Sequence, residues 1–184
     1  MRNPSLAILA LVALLGSGCG RLVNIRVSDV VETTVERGTI IEELTGSLGF
    51  DGLTAIDVFD AQELQNQGVE PGDVKRVELV QFDLEAVAPD DADLAFLEKL
   101  ELYVEAPDLP KELVASSTDF PDGEAFVALD LTGLDLTDYV VSRSMTLSTE
   151  IRGSRPDADT DVTATWALRI GVTGQGLVNG ARGD

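Results

Sequence analysis

From Val162 to Val172 every second residue is apolar: Val162, Ala164, Trp166, Leu168, Ile170 and Val172. Thr163, Thr165 and Arg169 occupy positions between them. A side-chain period of two belongs to a strand with one buried face, not to an amphipathic helix with its period of 3.6. The same alternation recurs upstream. Val23, Ile25 and Val27 alternate with Asn24, Arg26 and Ser28, and Leu100, Leu102, Val104 and Ala106 alternate with Glu101, Tyr103 and Glu105. Thr33 to Glu36 and Thr39 to Glu42 are β-rich and flank Arg37-Gly38, which reads as a turn. Leu53 to Phe59, Glu124 to Leu131 and Met145 to Ile151 are further strand candidates. Val74 to Ala88 changes phase: Val77 and Leu79 share one parity, and Val80, Phe82, Leu84 and Ala86 the other. One extra residue near Leu79-Val80, a β-bulge, reconciles them.

Helical signals are short. Asp60-Ala61-Gln62-Glu63 reads as a capping box with Gly68 as the stop. Asp93 to Glu98 and Asp135 to Val140 read as single turns. Pro71-Gly72, Pro89-Asp90, Pro107-Asp108 and Pro121-Asp122-Gly123 punctuate the strands. The pattern predicts an all-β chain, an antiparallel β-sandwich with a few helical turns, and a jelly roll as one connectivity that suits it. With one cysteine, no disulfide can form within the chain. A domain without staples must rely on its core, which fits 44% hydrophobic residues.

The N-terminus has a different grammar. Arg2 is followed by an unbroken apolar run from Leu6 to Leu15, then Gly16-Ser17-Gly18 and the single cysteine, Cys19. A positive start, a short apolar core and small residues make a secretory signal. Ten apolar residues fall short of the roughly 20 that span a bilayer. Gly16-Ser17-Gly18-Cys19 resembles the lipobox of bacterial lipoproteins, with Gly16 where the box usually has leucine and Leu15 one place earlier. The resemblance implies that residues 1–18 are removed and that Cys19 is lipidated. It implies a cell-envelope location, at the outer membrane where the host has one, since Gly20 is not the aspartate associated with inner-membrane retention. The alternative is a plain periplasmic or secreted product. Residues 19–22 would be a short tether, 23–173 the sandwich and 174–184 a Gly-rich tail. The mature part also resembles uncharacterised β-rich envelope lipoproteins, which imply no activity.

Charge and missing residue types narrow the chemistry. Of 13 basic residues Arg2 leaves with the signal, so 12 face 33 acidic ones. Such a balance opposes nucleic acid as a partner, because phosphate binding needs a basic face. Peripheral docking on anionic lipid is disfavoured for the same reason, so the membrane partner is reached through the anchor. No histidine is present, which removes the Ser-His-Asp arrangement and the commonest zinc ligand. An acylated Cys19 removes thiolate chemistry. Gly171 to Gly176 lacks the lysine of a phosphate loop.

The remaining reactive groups are carboxylates. Asp157, Asp159 and Asp161 alternate as the oxygen ligands of an EF-hand loop do, but Val162 replaces the glycine and Leu168 stands where the bidentate acid belongs. They remain candidate calcium ligands of a non-EF loop, the one cofactor the sequence suggests. Asp90-Asp91-Ala92-Asp93 suits a helix start. Trp166 lies on the apolar parity of its strand and reads as core. Arg182-Gly183-Asp184 spells an integrin-type tripeptide by chance. The expected function is a non-catalytic envelope module that binds an envelope protein or glycan or serves a structural role. The alternatives are a calcium-dependent adhesion or carbohydrate-binding module, and a hydrolase using two carboxylates.

Overall fold

The computed structural model describes residues 22–40 and 56–173. Eight strands account for most of them: β1 Leu22–Val35, β2 Val74–Ala88, β3 Leu97–Ala106, β4 Leu109–Ser117, β5 Phe126–Ala128, β6 Asp130–Leu131, β7 Thr146–Gly153 and β8 Thr160–Thr173. They pair antiparallel throughout, in one sheet ordered β1-β8-β2-β5 and a second ordered β6-β4-β3-β7. One buried apolar cluster draws on both. The first and last strands are neighbours, and the chain crosses between sheets from β2 to β3, from β4 to β5, from β5 to β6 and from β7 to β8. Ile56 bridges Met145, beside the start of β7. The strand order is that of a jelly roll.

Alternation explains the long strands. The six alternating apolar residues of β8 are at most 4% exposed, and Trp166 is among them in the core. The β2–β8 register shifts between Leu79 and Gln81, so the phase change in the sequence is a bulge at Val80. Val77 and Leu79 point inward before it, Phe82, Leu84 and Ala86 after it. The two candidate segments of residues 22–36 merge into one strand, and Gly38 turns the chain at a φ of +76°.

Other expectations change. Residues 53–59 are not a strand where described: Ile56 makes one bridge, and Val58–Asp60 is a 3-10 turn whose first free amide, on Phe59, is accepted by Asp57 Oδ1 at 3.0 Å. The capping box at Asp60 does not form, because helix α1 (Gln62–Gln65) starts after Ala61. Gly68, at φ +61°, does end that segment. The span from Glu124 to Leu131 divides between sheets. β5 pairs with β2 and β6 with β4, while the Leu129 amide donates to Phe82 O at 3.0 Å at the crossing. β4 escapes the period-two reading because Pro110, Lys111 and Glu112 break the alternation, and bulges displace its register against β3. The single helical turn expected over Asp135 to Val140 is present as the short helix α2 (Thr137–Val141).

Candidate functional site

β1 begins, β8 ends and β2 begins at one end of the sandwich, since Val23, Val172 and Val74 lie in one row. The opposite end, about 45 Å away along β1 at roughly 3.3 Å per residue, carries the loops of residues 36–40, 89–96, 118–125 and 154–159. Both acidic clusters singled out in the sequence meet there. A groove of about 380 Å³ runs between the 89–96 and 154–159 loops. Asp91 and Asp93 line one side and Asp157 the other, with Arg155 and Phe96 between the two sets in sequence.

Most of these carboxylates tie loops together. Asp93 Oδ1 accepts from the Ala95 amide at 3.1 Å and its Oδ2 from the Gly123 amide at 2.8 Å. Asp159 Oδ1 accepts from the Arg37 amide at 2.8 Å, and Asp161 Oδ1 from Thr34 Oγ1 at 2.6 Å. Backbone bonds reinforce the end: Gly38 N to Pro156 O at 3.0 Å, Leu94 N to Glu124 O at 3.2 Å and Ser154 N to Phe96 O at 2.8 Å. Asp157, Asp159 and Asp161 are therefore not gathered around one point. Asp157 opens on the groove, Asp159 holds the turn after β1, and Asp161 sits on the outer face of β8. No three carboxylates among the described residues come together as a cation would require. The EF-hand-like spacing makes no such loop because Asp161 already lies within β8, which starts at Thr160, and Asp159 and Asp161 are each bonded to a different point at the end of β1.

Two carboxylates elsewhere are held as anions. Lys99, hydrogen-bonded to Glu101, holds that carboxyl below the usual carboxylate range against partial burial, with help from Tyr103 and Arg152. Burial pushes Asp135 up, but hydrogen bonds from the Thr137 hydroxyl and amide and from the Val77 amide outweigh it and leave the group low. Burial raises the Tyr103 and Tyr139 hydroxyls. Lys111 lies 4.3 Å above the Tyr103 ring and 2.7 Å from Glu150. Lys99, Glu101, Tyr103, Lys111 and Glu150 form a lattice of polar contacts on the outer face of the second sheet. A general acid needs a raised carboxyl, and both of these shifts run the other way.

Sequence reasoning missed the outer face of the first sheet. Arg26, Arg169 and Glu78 stand side by side in one row across β1, β8 and β2. Arg76 is 2.7 Å and Arg169 3.3 Å from Glu78, while Arg26 Nη2 donates to the Gln81 amide oxygen, a bond that crosses buried Ala167. Nothing local in the sequence could have found this, because the three strands are distant in the chain. Cys19 lies outside the described residues, as does the tail of residues 174–184.

No family model matches this chain, and no curated protein matches it. Among solved structures it is similar to the protein of a semi-empty virus-like particle of Macrobrachium rosenbergii nodavirus, from the giant freshwater prawn, at 11% identity with 94% of each chain covered and a TM-score of 0.35. Among the described residues, no helix is long and apolar enough to cross a membrane.

Proposed function

We propose that this chain is a lipid-anchored, non-catalytic protein of the cell envelope that holds a β-sandwich directly at the membrane as a binding or structural module. The observation that carries the reading is the start of β1 at Leu22, three residues beyond Cys19. Three residues reach about 10 Å, so a lipid on Cys19 would hold the N-terminal end of the sandwich at the bilayer surface. The groove and the acidic loops would then face away from it. Two or more acyl chains hold a protein firmly where one binds marginally.

The test is Cys19→Ser. We expect the wild-type chain in the membrane fraction, an acylated cysteine at its mature N-terminus by mass spectrometry, and release of the variant into the soluble fraction. A wild-type N-terminus without acyl groups would overturn the anchor.

A further inference from the structure

The outer face of the first sheet is divided by charge along the strands. Toward the start of β1 it carries Arg26, Arg76 and Arg169 with one acid, Glu78. Toward the end of β1 it carries Glu32, Asp83, Glu85 and Asp161 and no base. Among the described residues, half of the exposed large apolar ones, Val30 (55% exposed), Val87 (49%) and Phe126 (53%), also lie on the acidic half. Val87 adjoins Glu32, Thr34 and Asp161 in a shallow groove, and Phe126 stands opposite Glu85. Arg26 and Arg169 face each other directly across β1 and β8, an unfavourable like-charge pair. Arg169 has Glu78 for relief, whereas the hydrogen bond of Arg26 goes to a neutral amide.

We infer that this face is self-complementary and that its occupant is a second copy of the chain, related by a two-fold axis lying across the strands. That operation stacks the arginine half of each copy on the acidic half of the other. With the axis between the row of Ser28, Ala167 and Gln81 and the row of Val30, Thr165 and Asp83, Arg26 of one copy stands over Glu32 of the other. The long arginine stems cover Val30 and Val87, apolar methylenes on apolar side chains with the charged heads on carboxylates. Glu78 comes to stand over Glu85, and its two arginine partners offset that repulsion. A two-fold contact of this kind is isologous and closes as a dimer, with the strands of the two copies running in opposite directions and their N-terminal ends about 45 Å apart, so under the proposed anchor the two copies reach toward each other from opposed bilayers. The three long strands make a face of about 45 by 14 Å from the ordinary strand rise and spacing, to which the three-residue β5 adds little; about 700 Å² is close to the roughly 800 Å² per partner of a stable interface. For a chain with a formal net charge of −20, this face offers like-charged molecules an approach with compensating charges.

The experiment is sedimentation equilibrium of the full chain in a density-matched non-ionic detergent. Two variants are compared with wild type: Arg26→Glu/Arg169→Glu, with both halves net acidic, and Glu32→Arg/Asp83→Arg/Glu85→Arg, with both halves net basic. Wild type is expected to be dimeric. Each variant alone should dissociate at least about tenfold more readily, as close charge pairs at interfaces commonly show. An equimolar mixture of the two should recover the dimer, because opposite faces then meet. An unchanged far-ultraviolet circular dichroism spectrum and a cooperative thermal transition show that each variant is folded, since loss of the dimer by itself lowers the transition temperature. A monomeric wild type, a variant that dimerises as well as wild type, or a mixture that stays monomeric would each overturn the inference. Lipidation is read separately from the mature N-terminus, so failure of the anchor and failure of the dimer are distinct results.

Discussion

The two faces of the first sheet are built from the same three long strands and obey different rules. Inward, β8 presents Val162, Ala164, Trp166, Leu168, Ile170 and Val172 to a shared core with Ile25, Val27, Phe82 and Leu84, and all ten are buried. Outward, the same strand presents Asp161, Thr163, Thr165, Ala167 and Arg169 to neighbours whose charge changes sign along its length. The inner face is a matter of hydrophobic area, which is non-directional and sums along a strand. The outer face is a matter of which charge stands beside which, and that depends on register.

The sharpest test of this contrast compares neighbours in sequence. Leu168→Ala should cost about 2–5 kcal/mol in urea unfolding, the lost transfer term plus the cavity left behind. An effect under 1 kcal/mol would mean that the core at this point can collapse. Asp135→Asn is expected to have a smaller, pH-dependent effect. Its carboxyl is held low when folded, so its contribution is present above the unfolded value near pH 4 and is lost as pH falls through the lower folded value. The stability difference between wild type and this variant should therefore narrow between about pH 5 and pH 2, and a difference that stays constant would show that the charge is immaterial. Arg169→Ala should change monomer stability by no more than about 0.5 kcal/mol, as exposed substitutions usually do. A cost as large as that of Leu168→Ala would overturn the assignment of faces.

Much of the sandwich was legible because the signal was local. A period of two over eleven residues specifies a strand and its buried side, and a phase change within one run specifies a bulge. The misreadings share a cause. Leu53 to Phe59 and the span from Glu124 to Leu131 are β-rich, but the Asp57 cap and the crossing at Leu129 redirect the backbone through bonds to distant or capping groups. β4 shows the converse, a strand held by its partners where its own pattern is broken.

The sequence by itself determined the strand class, the buried parity of β8, the bulge in β2, the absence of an internal disulfide and the histidine-free chemistry, together with the lipobox-like segment that motivates the anchor. Each of these is a property of residue types or of spacings within one segment. Only the tertiary structure decided that the two acidic clusters meet at one end, that Asp157, Asp159 and Asp161 part company, and that Arg26, Arg169 and Glu78 form a row. Such neighbours are brought together by strand order and register, which the packing of the whole core fixes and which no short stretch of sequence contains.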